Sequence, residues 1–209
     1  MLGAFPALWE RLRNLAEVFP VNYRAGELIF PEGGFAAGTY IVGQGLVGLF
    51  RSHGTKNVCL YVAGPGELLG LEAWLDNVPP QHLTAGRALT DVNLIFLPTP
   101  AWKKALEDQE VRKLVFSCLA QMWFDVLERE AYKADAQAAV LWAFQRWGEE
   151  TPQGVRLSLN PNVLAMVLGL SRTAVKQALV RLGITEGERH LILDKRNLAK
   201  APAFTKSPQ

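Results

Sequence analysis

The sequence predicts an α+β chain in three parts: an antiparallel β-roll of jelly-roll type, one long helix, and a C-terminal winged helix-turn-helix. Three observations carry this reading. From Val21 to Leu97, short apolar runs (GELIF, TYIVGQGLVGLF, NVCLYVAGPGELLGL, DVNLIFLP) alternate with Gly, Pro and Asn turns, the texture of short antiparallel strands. From Asp108 to Ala134, neither Gly nor Pro interrupts a stretch whose apolar residues recur three and four apart, the period of a helix. From Pro161 to Leu182, two short helical patterns meet at Gly169. The domain limits expected are 1–107 for the roll, 108–134 for the long helix and 135–209 for the winged helix.

Composition bounds the rest. The chain has 209 residues, of which 49% are hydrophobic and 20% charged, ordinary values for a globular protein. No apolar run approaches the ~20 residues that span a bilayer. In residues 5–19, charges alternate with apolar residues, which predicts an amphipathic helix rather than a secretion signal. A cytoplasmic protein without membrane contact is expected. Cys59 and Cys118 lie far apart in apolar segments, which speaks against a disulfide framework or a thiolate metal site. His53, His82 and His190 are isolated and read as loop or surface residues. No phosphate-binding loop, nucleophile–base constellation or metal-ligand spacing is present, so no enzyme, metal or cofactor is expected.

Charge is unevenly placed. From Val155 onward there are nine Lys or Arg and three acids, whereas the preceding residues carry 13 basic and 17 acidic groups. A basic segment on an acidic body is the electrostatic footprint of a nucleic-acid-binding module.

The long helix has Asp108 placed as its cap. Val111, Val115, Cys118, Met122 and Val126 form one apolar stripe, and Leu119, Trp123, Leu127 and Ala131 a second. A helix with two apolar faces is covered from two sides, here by the roll and by the same helix of a second subunit. Val111, Val115, Cys118, Met122 and Val126 are assigned to that dimer interface. Beyond Asp135, AQAAVLWAFQRWGEE predicts a helix, Val155–Leu159 a strand, and the end a hairpin and polar tail.

The segment PNVLAMVLGLSRTAVKQALVRL carries the chemistry. Asn160 caps a first helix, with Pro161 in its first turn. Gly169 supplies the left-handed residue that ends it, Leu170 packs into the angle, and Ser171 caps a second helix. Ala165, Gly169, Leu170 and Val175 have the spacing that lets two helices cross closely. The second helix exposes Arg172, Thr173, Lys176, Gln177 and Val180. Its first turn suits the major groove, where Arg172 can bond bidentately to guanine and Gln177 to adenine. Lys176 and the helix N-terminus suit phosphates, and Ser171 is counted with them among the DNA-binding residues. The hairpin around Glu186, Gly187 and Glu188 supplies a wing, with Arg189 as a further DNA contact.

Taken in order, GELIFPEG, TYIVGQGLVGLF, PGELLG, the AQM of the long helix and LSRTAVKQAL resemble the superfamily of the cyclic-AMP receptor protein and the fumarate–nitrate reduction regulator (CRP/FNR). The resemblance runs from about Tyr23 to Leu193. It implies a cyclic-nucleotide-binding-like roll, a homodimer, double-stranded palindromic promoter DNA as target, and contact with RNA polymerase. Departures bear on the effector. The family's ribose-binding glutamate follows the PGELLG glycine directly; here Leu71 follows Gly70 and Glu72 is displaced by one. The phosphate-binding Arg-Ser pair falls near Gln81-His82-Leu83, without an arginine, and Arg87 is the nearest basic group. Gly70, Leu71, Glu72, Gln81, His82 and Arg87 mark the candidate effector pocket. These departures imply independence of cyclic AMP, leaving open another small-molecule effector or none. Thr173 and Gln177 replace the glutamate and second arginine of the cyclic-AMP-responsive branch, which implies a different operator. The alternative function is a small-molecule-sensing module whose helix-turn-helix serves protein contacts.

Overall fold

The computed structural model describes residues 8, 11–12, 17–54, 56–74 and 80–198. The chain divides into two compact units, Met1–Leu127 and Glu128–Gln209. Among the described residues no single helix is long and apolar enough to cross a membrane.

The first unit is built from two four-stranded antiparallel sheets. In chain order the strands are β1 (Phe19–Tyr23), β2 (Leu28–Phe30), β3 (Gly38–Gln44), β4 (Val47–His53), β5 (Lys56–Ala63), β6 (Leu68–Leu69), β7 (Ala85–Ala88) and β8 (Val92–Pro98). One sheet has the order β1-β8-β3-β6 and the other β2-β7-β4-β5. Helix α1 (Thr99–Ala105) and the long α2 (Gln109–Tyr132) follow. Of the helix expected over 5–19, Leu8, Arg11 and Leu12 are helical and most of the remainder lies outside the described residues; the chain is already β-strand at Phe19. Pro20 accounts for this early start, because a following proline disfavours the helical conformation at Phe19.

In the β1-β8-β3-β6 sheet, strands β3, β6 and β8 are buried on both faces, while β1 is largely exposed. Successive strand side chains point to opposite sides: Ile41, Leu68, Ile95 and Leu97 pack with Trp102, Val111 and Val115, whereas Val42, Leu69 and Leu94 pack with Phe30, Val47 and Tyr61 inside the roll. This is why these strands read as continuous apolar runs rather than as alternating ones.

Asp108 caps α2 as expected, its Oδ1 accepting from the backbone N–H groups of Glu110 at 2.9 Å and Val111 at 3.1 Å. The first stripe turns toward the roll, opposite to the assignment made from sequence, and of the second stripe Leu119 also packs on the core whereas Trp123 and Leu127 face outward. Val111, Val115 and Cys118 are buried against the roll's sheet and α1, and Met122 and Val126 are half-buried against the roll interior. Val111, Val115 and Cys118 therefore serve this chain's own core rather than a dimer interface, while Met122 and Val126 keep part of their surface open. The uncovered face carries Phe116, 75% exposed, Trp123, 63% exposed, and also Phe124 and Leu127. Helical period fixes which residues share a face but not which face turns inward; the compact, largely β-branched stripe fits a pleated sheet, and the aromatic one is left outside.

In the second unit, α3 (Ala136–Trp147) is capped by Asp135 and followed by β9 (Glu149–Thr151), β10 (Gly154–Leu157), α4 (Pro161–Leu168), α5 (Arg172–Arg181), β11 (Ile184–Glu186), β12 (Leu191–Asp194) and α6 (Lys195–Leu198). Its sheet runs β11-β12-β10-β9. Glu149 and Glu150, expected to close the helix, are strand instead. The helix stops at Gly148, where a Cβ would clash with the Phe144 carbonyl and the Val155 side chain, and the hairpin to β10 forms at once. The strand expected over Val155–Leu159 begins one residue earlier and ends at Leu157.

Candidate nucleic-acid interface

The α4–α5 pair is set by its capping groups. Asn160 Oδ1 accepts from the N–H groups of Asn162 and Val163, both at 3.0 Å. Gly169 takes φ 67°, the left-handed conformation that costs a glycine little. The chain then reverses through bonds from the Gly169 N–H to the Met166 carbonyl and from the Leu170 N–H to the Ala165 carbonyl, at 3.2 and 3.0 Å. Ser171 Oγ accepts from the Ala174 N–H at 3.1 Å and starts α5. The two helices meet at 114°.

Ala165, Leu164 and Leu168 of α4 and Val175, Ala178 and Leu179 of α5 are buried, and Leu170 is half-buried in the corner. Ser171, Arg172, Thr173, Lys176, Gln177 and Val180 are exposed along one side of α5, which contains no acidic residue. The sequence-predicted contact residues of this helix thus share one solvent-facing surface. The wing is the β11–β12 hairpin, closed by the Gly187 N–H donating to the His190 carbonyl at 2.8 Å. Arg189 is exposed at its tip beside Glu188. Sequence reading did not single out Gln137 and Arg181, which line a depression with Asp135 and Gln177 where α3 begins alongside α5. Arg181 stands one turn from Gln177 on α5, whereas Gln137 belongs to α3 and only the fold brings it there.

The candidate effector pocket is only partly assembled. Glu72, in the 3-10 turn Leu71–Trp74, accepts from the Leu83 N–H at 3.1 Å. Its carboxylate lies 3.6 Å from His82 Nδ1, an electrostatic contact longer than a hydrogen bond. Burial by itself raises the Glu72 carboxyl, but the facing His82 and the Leu83 amide outweigh it and hold the group below the usual glutamate value. His82 lies in the loop before β7, as expected, but is 4% exposed and stacks on Phe30, which corrects its reading as a surface residue. Gly70, at φ 74°, backs onto its ring. Gln81 is exposed at the rim, bridged to Phe35. Two members fall away. Leu71 joins the core beneath α2, and Arg87 points outward, its Nη1 donating to the Gly26 carbonyl at 3.1 Å. The pleat explains Arg87, because its neighbours Gly86 and Ala88 take the inward positions of β7.

Cys59 and Cys118 are both buried, and burial pushes the Cys118 thiol up, with Glu67 adding to the effect. Glu67, which sequence reading passed over, is a buried carboxylate that accepts from Tyr61 Oη at 2.9 Å and from the Gly64 N–H at 2.7 Å. Among the described residues no group of three His, Cys, Asp or Glu could hold a metal ion.

Residues 20–109 match the family model described as cyclic nucleotide-binding domain. No curated protein sequence matches the chain. Among solved structures, a CRP/FNR-family transcriptional regulator from Thermus thermophilus is similar at 25% identity and a TM-score of 0.66, over 87% of this chain and 97% of that one. A CRP-family transcriptional regulator from the same organism has 21% identity and a TM-score of 0.70, over 86% of this chain and 95% of that one. The c-di-GMP-responsive global regulator CLP of Xanthomonas campestris has 17% identity and a TM-score of 0.67, over 90% and 99%. Residues 20–109 thus belong to the cyclic nucleotide-binding domain family, and the chain as a whole has the fold of CRP/FNR-family transcriptional regulators.

Proposed function

We propose that the chain is a homodimeric, sequence-specific, DNA-binding transcription regulator that works without cyclic AMP. The observation that carries this is the solvent-facing side of α5, where Arg172, Thr173, Lys176 and Gln177 stand together on a helix free of acids. Lys176 and Ser171 supply phosphate contacts that set register, Arg172 and Gln177 supply the hydrogen-bonding geometry for guanine and adenine, and Arg189 adds a cation at the wing. Dimerisation is supported by the uncovered aromatic face of α2, since Phe116, Trp123, Phe124 and Leu127 form an apolar surface of the kind that marks an interface. Two copies then present α5 to the two halves of a palindromic promoter site, in the cytoplasm and within reach of RNA polymerase.

Independence of cyclic AMP is supported by the roll. A cyclic phosphate brought to His82 meets the Glu72 carboxylate, and the outward Arg87 offers it no guanidinium. The roll serves another small molecule or acts as a structural support for α2. Footprinting of genomic fragments bound by the purified chain tests the reading. Two protected half-sites with centres about 34 Å apart are expected; a single unpaired patch, or no protection, contradicts it.

A further inference from the structure

Val180 takes no part in the phosphate and hydrogen-bonding contacts just described. It is 80% exposed, the most exposed of the large apolar side chains among the described residues. The buried stripe of α5 is complete without it, formed by Val175, Ala178 and Leu179. Residues three and four apart are neighbours on a helix surface, so Val180 continues the exposed row of Thr173, Lys176 and Gln177.

Geometry relates that row to a duplex. Gln177 and Val180 are separated along the helix axis by about 4.5 Å at ~1.5 Å per residue, close to the ~3.4 Å between stacked bases. The pair therefore spans about one base step, whereas Arg172 stands ~12 Å from Val180 along the axis. The major groove presents one apolar group, the C5-methyl of thymine. A valine in a helix is largely held to one χ1 rotamer, so its two methyls are presented at a fixed place, and with no polar atom it leaves the amino and carbonyl edges of other bases without a partner.

We propose that Val180 reads the methyl group of a thymine in each half-site, next to the base pair contacted by Gln177. This deepens the regulator reading and rests on it. Val180 then fixes an A·T step at the end of the half-site farthest from the base contacted by Arg172.

The test starts with the sequence that the full chain selects from random duplex DNA. Each thymine of that sequence is replaced in turn by deoxyuridine, which removes only the methyl, and Kd is measured by fluorescence anisotropy at one fixed salt concentration. For the wild-type chain, one symmetry-related thymine pair is expected to be sensitive, with binding weakened about fourfold per methyl, from ~0.8 kcal/mol per buried methyl-sized group. Val180→Ala is expected to lose most of that sensitivity, and Arg172→Ala to keep it. Selective binding with no methyl-sensitive position, or undiminished sensitivity in Val180→Ala, overturns this inference and leaves the regulator reading standing. A chain that selects no DNA overturns both. Since the deoxyuridine series is carried by the unaltered protein, folding of the variant does not enter the first comparison.

Discussion

The imidazole of His82 stacks on the ring of Phe30 with centroids 4.0 Å apart and planes 18° from parallel. The roll interior thus holds an aromatic pair at the place where the resemblance puts a phosphate-binding arginine, with a carboxylate beside it. Cyclic AMP is therefore expected to leave the thermal unfolding midpoint unchanged even at millimolar concentration. A ligand at 100 times its Kd stabilises the folded state by about 2.7 kcal/mol, so a rise of several degrees would contradict the account of the roll.

Glu72 gives a pH dependence. Its carboxyl is held below the ordinary value of 4.5, so the unfolded chain takes up the proton first. The stabilisation is present above that value and is lost as pH falls through the lower folded-state pKa. Urea midpoints of wild type and Glu72→Gln are expected to differ most near neutral pH and to converge as pH falls below 4.5. A difference that grows on acidification has the wrong sign for this pair.

The two faces of α2 separate stability from association. Trp123→Glu is expected to yield monomers in sedimentation velocity with little change in folding. Val115→Ala, in the buried stripe, is expected to cost roughly 2 kcal/mol of stability, from two buried methyl-sized groups and the void they leave. Its folded fraction should associate like wild type. The opposite pattern would restore the buried stripe as the dimer contact.

At Gly169 an added Cβ would lie 3.5 Å from Lys133 Cε, an ordinary contact. Gly169→Ala therefore tests the left-handed backbone itself and should cost about 1 kcal/mol or slightly more. Gly154→Ala, which would drive a Cβ into the Leu193 carbonyl, should cost considerably more. Equal thermal shifts for the two would show that the turn depends on space rather than conformation.

Much of this is legible in the amino-acid sequence, for identifiable reasons. Asp108, Asn160, Ser171 and Gly169 act through bonds to residues within five positions in sequence, so their roles as caps and turn are local chemistry. The exposed row on α5 is legible because that helix is amphipathic and short. What the sequence hides depends on distant partners. His82 is buried by Phe30, 52 positions away; Arg87 is turned outward by the pleat of a four-residue strand. The inward face of α2 is hidden because both stripes are apolar, and only packing against Ile41, Leu68 and Ile95 decides between them. Strand β9 is disguised by helix-favouring glutamates, and the close approach that only a glycine permits at position 148 is visible only once Val155 lies opposite it.

The central claim is that α5 reads DNA. It is tested most directly by selecting bound sequences from random duplex DNA with the purified, ligand-free chain and with Arg172→Ala. The account predicts one palindromic sequence for the wild type, and for the variant, folded with an unchanged midpoint, relaxed preference at one symmetry-related guanine pair at a cost of about 1–3 kcal/mol. Identical preferences for both proteins, or no selected sequence for either, would contradict it.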